Sequence, residues 1–243
     1  MDLKVIIVCL CTALFAGFIH GTIGMGFGMI AMATVTLFLP YNNAAATVSV
    51  ALMVLVSQVS ITLRRHIDWH GILIPATALT LGKMLGIVLM MHLQTVYLRV
   101  SLGCFLILYS SLQLLNVKAL KIKGTQLQGI VTCGLGGLFG GVFNVSGPFA
   151  SIFCQARYGS DPKAYAANMN AMFVPSAFIA IVMHIWYGNF TPSCLVGSAA
   201  MIPGILVAAY AGVSVLRKIK VQSLFRLSHI YIIIMGLVIC ISG

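Results

Sequence analysis

Gly136-Gly-Leu-Phe-Gly-Gly-Val-Phe-Asn-Val-Ser-Gly-Pro148 sets five glycines, Asn144, Ser146 and Pro148 inside an otherwise apolar run. A regular helix cannot pass through it. Glycine has no Cβ to restrict the backbone and Pro148 has no N–H, so amides and carbonyls near Asn144–Pro148 lose their i→i−4 partners. In hydrocarbon such groups persist only where protein covers them or where they line a wet cavity, the way transporters build substrate sites. Working outward, a shift of 120 positions lays Gly17, Gly21, Gly24, Gly26 and Gly28 over Gly137, Gly141, Asn144, Ser146 and Pro148. The same shift brings Thr12 onto Thr132, Ala44 onto Ala164, Ala46 onto Ala166, Ala51 onto Ala171, Val54 onto Val174 and Ile61 onto Ile181 without a gap. This suggests a duplication, with halves at 1–117 and 118–243.

The chain has 243 residues, 60% hydrophobic and 7% charged, against about 25% charged in soluble domains. That composition describes an integral membrane protein, because apolar runs able to cross roughly 30 Å of hydrocarbon recur throughout. No segment is left for a soluble domain. The net charge of +11 does not point to nucleic acid, since the Lys and Arg sit in short loops between apolar runs, where topology explains them. Seven cysteines without a CxxC motif read as buried thiols. Met1-Asp-Leu-Lys leads into an apolar run with no Ala-x-Ala site, which reads as a first span and not a removed signal peptide.

From Val5 to Leu39 the run is broken at Gly21–Gly28, which predicts two pieces of about 16 residues, each rising roughly 24 Å. A hairpin with a glycine tip fits better than one long helix, with two thin crossings as the alternative. Ordinary spans follow at Ala44–Leu63, Gly71–Leu93 and Val96–Asn116. After a basic connector, Lys118–Gly124, comes a hairpin over Thr125–Tyr158, then spans at Ala164–Tyr187, Thr191–Leu216 and Leu224–Ser242. Arg64, Arg65, Lys118, Lys121, Lys123, Arg157, Lys163, Arg217, Lys218, Lys220 and Arg226 all fall on one predicted side, with Lys4 and Arg99 as exceptions. Equivalent loops of the two halves then lie on opposite sides. The expected fold is an all-α polytopic membrane protein of two inverted repeats, about five helical segments each, whose Gly-rich broken-helix hairpins meet near the midplane.

At those tips, free amides and helix N-terminal dipoles suit a small anion. Gly24, Gly26, Asn144, Ser146 and Gly147 are the candidate binding residues, while Gly17, Gly21, Gly137 and Gly141 read as close-packing positions. Lys83 lies mid-span without a membrane carboxylate, so its counter-charge is either the substrate or solvent in a crevice. Asn168 and Asn170 either complete the cavity or bond between helices. His20, beside Gly21, is the candidate proton carrier for coupling. Cys154 and Gln155 follow the second motif, with an inert buried thiol the simpler reading. No nucleophile–base set, Walker loop or metal constellation appears, so neither enzyme nor cofactor is expected.

These residues carry a resemblance. Gly-Gly-Leu-Phe-Gly-Gly-x-Phe-x-x-Ser-Gly-Pro at 136–148, Asp161-Pro-Lys163 with Ala164–Phe173, and the weaker motif at Gly17–Gly28 resemble the TauE/SafE, or sulfite exporter, family. The resemblance implies two homologous halves in the cytoplasmic membrane of a bacterium. It implies transport of sulfite, thiosulfate, sulfoacetate or a related organic anion, proton-linked or facilitated. Phe27-Gly28 stands where the second motif has Gly147-Pro148, so the two tips need not contribute equally. The expected function is a secondary anion transporter working by alternating access. The alternatives are an anion channel, a carrier of a non-sulfur organic anion, or a partner subunit without flux of its own.

Overall fold

The computed structural model describes residues 3–115, 122–215 and 221–242, with the side chains of the last stretch described from 223 onward. Among these residues all regular structure is helical. In order the helices are α1 (Leu3–Ile23), α2 (Phe27–Val35), α3 (Tyr41–Thr62), α4 (Trp69–His92), α5 (Thr95–Leu114), α6 (Gln126–Phe143), α7 (Gly147–Tyr158), α8 (Pro162–Trp186), α9 (Pro192–Val215) and α10 (Val221–Ser242), with a 3-10 turn at Arg64–His66. Eight of them, all but α2 and α7, are long and apolar enough to cross a membrane. This is a multi-pass membrane protein.

Local chemistry sets the helix starts. The Asp68 carboxylate accepts the Gly71 N–H at 3.0 Å to cap α4. Thr125 and Gln128 cap each other's backbone amides at the start of α6. Asp161 accepts from Lys163 N–H at 3.0 Å just before Pro162 opens α8. Each cap supplies an acceptor for first-turn amides that have none within the helix. The breaks are equally local. Gly24 and Gly26 have φ of 86° and 111° between α1 and α2, and Asn144 has φ of 57° after α6. Asparagine is among the few side chains that tolerate that region.

Small residues decide the packing. α4 lies beside α6, with Gly82 and Gly86 pressed on the backbone of Gly134, Leu138 and Gly141, and Gly137 on the carbonyl of Leu79. α1 lies beside α9 in the same manner, a Cβ on Gly21 falling 2.7 Å from the Ala209 carbonyl. Both pairs run parallel, from Pro75 and Gly129 to Gly86 and Gly141 in one, and from Cys9 and Gly197 to Gly21 and Gly212 in the other. α5 and α10 run antiparallel, with Gly103 on Gly236 and Cys240. α3 and α8 pack together between these layers. With no hydrophobic drive between helices in lipid, close backbone approach supplies the association energy.

Both Gly-rich units are hairpins. Arg157 donates to the Gly124 carbonyl at 3.4 Å, so the end of α7 returns to the start of α6. Gln126 donates to Gly71 O at 3.2 Å and Tyr158 to Asp68 at 3.1 Å, fixing both ends of that hairpin beside the start of α4. In the other unit α1 begins alongside the start of α9, and the chain after α2 returns there, with Asn43 donating to Thr191 at 2.8 Å. α3 runs between these two ends of the bundle.

The arms of the hairpins are unequal, 21 and 9 residues in the first unit and 18 and 12 in the second, where two pieces of about 16 were expected in the first. The first break falls at Gly24–Gly26 and not at Gly21, because Gly21 serves helix packing on α9 and stays in the helix. Cys11 and Cys104 are exposed on the outer faces of α1 and α5 rather than buried, since a thiol is as compatible with lipid as with the core. The expected boundary at 117/118 and the cations Lys118, Lys121, Arg217, Lys218 and Lys220 lie outside the described residues.

Gly137→Val places a branched side chain on the Leu79 carbonyl and should lower stability by about 1–3 kcal/mol. Gly134→Ala, whose added carbon meets nothing closer than Ala78 O at 4.0 Å, should stay within about 0.5 kcal/mol of the parent. Thermal unfolding of the purified variants measures both.

Candidate functional site

The two hairpin tips touch. The Asn144 carbonyl occupies the place a side chain would take on Gly28, and a Cβ on Gly147 would lie 3.4 Å from that of Met25. Between them is a cavity with about 20 Å³ for a water-sized occupant, against the roughly 10–15 Å³ one water needs. It is lined by His20, Gly26, Gly28, Asn144, Ser146 and Gly147 together with Met25, Met29, Leu52, Val145, Phe173 and Ser176. Gly28, Met29 and Gly147 lie in the first turns of α2 and α7, where amides lack an intrahelical acceptor and the helix dipole is positive. Two helix starts therefore point at one small space.

Asn144 joins this space to a buried cation. Its Oδ1 accepts from Lys83 Nζ at 3.2 Å, its Nδ2 donates to Ala45 O at 2.9 Å, and the Ser49 hydroxyl lies 3.2 Å from that nitrogen. The Asn144 amide is thus committed to helices α3 and α4 and is not a free donor to the cavity. Lys83 is 1% exposed, held between Gly82 and Gly86 where α4 meets α6. Among the described residues it has no carboxylate partner, the ion pair there being Arg157 with Asp68. A buried ammonium with one neutral acceptor is under-compensated. Lys83 does not line the cavity; one side chain separates them.

His20 faces the cavity from α1. Its Nε2 lies 2.9 Å from Asn170 Oδ1, while Asn170 Nδ2 donates to Ala166 O at 2.8 Å, so Oδ1 is an acceptor. The Phe27 N–H donates to His20 Nδ1 at 3.4 Å. The network assigns the neutral tautomer with the proton on Nε2.

Asn170 therefore sits behind His20, outside the cavity. Asn168 is farther off, with its amide spent on His66 O, Ala164 O and the Asp68 N–H at 2.7–3.1 Å. It ties α8 to the turn after α3. Gly24 packs against Tyr165 and Ala166 beside the tip. Cys154 is buried and without a disulfide. Sequence reasoning missed Met25, Met29, Phe173 and Ser176, since apolar residues in an apolar chain carry no signal, although Phe27-Gly28 already marked the tip near Met25 and Met29. A second hollow of about 10 Å³ shares Met25, Gly26 and Met29 and continues to Phe225, Ser228 and His229 of α10. The methionines separate the two spaces. No group of His, Cys, Asp or Glu that could hold a metal occurs among the described residues.

The model of the sulfite exporter TauE/SafE family matches residues 9–239. The chain belongs to this family. The TauE/SafE chain is also similar to the probable sulfite/organosulfonate exporter TauE of Cupriavidus necator, with 26% identity over 196 residues, 78% of this chain and 75% of the relative. No solved structure matches. The family is one of membrane transporters, and the tips, cavity and buried lysine of this TauE/SafE protein all fall within the matched region.

At one end of the bundle, Asp68 is the hub of a polar cluster. The Gly71 N–H, then the Tyr158 hydroxyl and Arg157, hold its carboxyl below the usual carboxylate range. A depressed pKa contributes above the usual carboxylate range and is lost as pH falls through the lowered value. Protection of amides at the end of α7 should fall at pH below about 4, and Asp68→Asn should remove that acid dependence in hydrogen exchange. For the buried pair, Asn144→Ala should cost about 1–3 kcal/mol by stranding Lys83. Adding Lys83→Met should recover most of the loss, as thermal unfolding of single and double variants would record.

Proposed function

We propose that this chain carries a small sulfur oxyanion or organosulfonate across the bacterial cytoplasmic membrane by alternating access. The observation that supports it best is the meeting of two hairpin tips around one cavity, with a buried lysine one residue behind. Amides at the starts of α2 and α7 donate to the oxyanion, and the helix dipoles favour its charge. The anion supplies the negative charge that Lys83 lacks, acting through Asn144, whose oxygen joins the lysine to the tip. The name of the Cupriavidus necator relative agrees with this substrate class.

The two halves, 1–117 and 118–243, act as inverted copies, each with three crossings and one re-entrant hairpin. Rocking of one against the other would move Met25 and Met29 relative to α10 and join the cavity to the hollow beside Phe225, Ser228 and His229 in one state. His20 is suited to coupling. A proton on its Nδ1 displaces the Phe27 N–H, so charge at His20 is tied to the first turn of α2.

Flux into lipid vesicles tests the proposal. Sulfite, thiosulfate or sulfoacetate uptake should saturate and show counterflow; ionic currents at near-diffusive rates would mean a channel instead. Lys83→Ala should reduce initial flux by about tenfold or more, equivalent to roughly 1.4 kcal/mol, at unchanged folded yield, and Ser146→Ala should reduce it less. Equal flux in Lys83→Ala and parent removes the lysine from the site.

A further inference from the structure

Away from the central cavity, a groove of about 370 Å³ runs between the end of α3 and the middle of α8. That is within the size of sites that take a small molecule. Its walls are mostly apolar, with Ile61, Ile67 and Val174 along it and Arg64 and Trp69 at its mouth. Ile61 and Trp69 are 67% and 63% exposed, so the groove opens on the outer surface of the bundle. Arg and Trp together at a span end are residues of the membrane–water interface, where a guanidinium meets headgroups and an indole straddles the boundary. The guanidinium of Arg64 has no ion pair among the described residues.

We propose that this groove binds an anionic phospholipid of the surrounding bilayer. Its phosphate sits on Arg64 at the mouth, and an acyl chain lies in the trough between α3 and α8. A cation at the mouth followed by an apolar trough matches the order of phosphate and chain in a glycerophospholipid. A free small anion would have no use for the trough, and a zwitterionic lipid, whose phosphate also meets the guanidinium, brings a headgroup cation that opposes Arg64, which an anionic lipid does not.

The test uses the full-length protein in neutral detergent, with thermal unfolding read after adding phosphatidylglycerol, phosphatidylcholine or inorganic phosphate. Phosphatidylglycerol should raise the midpoint by at least about 3 °C over phosphatidylcholine, and phosphate should not. Arg64→Gln should abolish the difference. Arg65→Gln, at a neighbouring exposed cation outside the groove, should retain it. Ser57→Phe, which fills the trough and leaves the charge, should also abolish it and serves if Arg64→Gln does not fold. Equal shifts from both lipids, equal loss in Arg65→Gln, or reproduction of the shift by phosphate would overturn the proposal.

Discussion

A broken helix at membrane depth must find partners for backbone groups that water cannot reach. Here the two breaks are solved against each other. The carbonyl of Asn144 fills the space left by Gly28, and Phe27 N–H is taken by His20. Asn144 holds the turn in a left-handed conformation while its side chain bonds Ala45 and Lys83. One residue thus ends α6, joins three helices and forms part of a cavity wall. The remaining architecture serves to bring these two corners to the same depth.

That depth is controlled by helix pairs packed through glycine. α6 is registered on α4 and α1 on α9 by contacts so close that even a methyl group collides with backbone. The registered partner of α6 is also the helix that carries Lys83. The position of the cation and the position of the tip are therefore one geometric fact and not two. This explains how a lysine without a carboxylate is tolerated: the same packing that excludes water delivers the Asn144 oxygen to it.

The two ends of the bundle are closed by different chemistry. One carries the charged cluster of Asp68, Arg157 and Tyr158. The other carries a neutral contact between Asn43 and Thr191. Both clusters join a hairpin or its flanking residues to the start of a helix distant in sequence. The central cavity is lined in part by methionine, a soft and adaptable side chain, with the Met25 sulfur accepting from the Tyr165 hydroxyl at 3.9 Å.

Composition and the motif at 136–148 by themselves determined that this is a helical membrane protein with two interrupted units, because the need to satisfy backbone in lipid acts on local sequence. The span bounds followed from Pro, Gly and charged residues for the same reason. The matching motif residues also led to the family. Only the tertiary structure decided that the two hairpins have unequal arms, since a glycine used for packing and a glycine used for a turn look alike in sequence. It also decided that Asn168 fastens a loop, that Asn170 stands behind His20, and that Lys83 reaches the tip through Asn144. Those assignments depend on which helix lies against which, and contacts between residues 60 to 150 positions apart leave no mark on the local pattern.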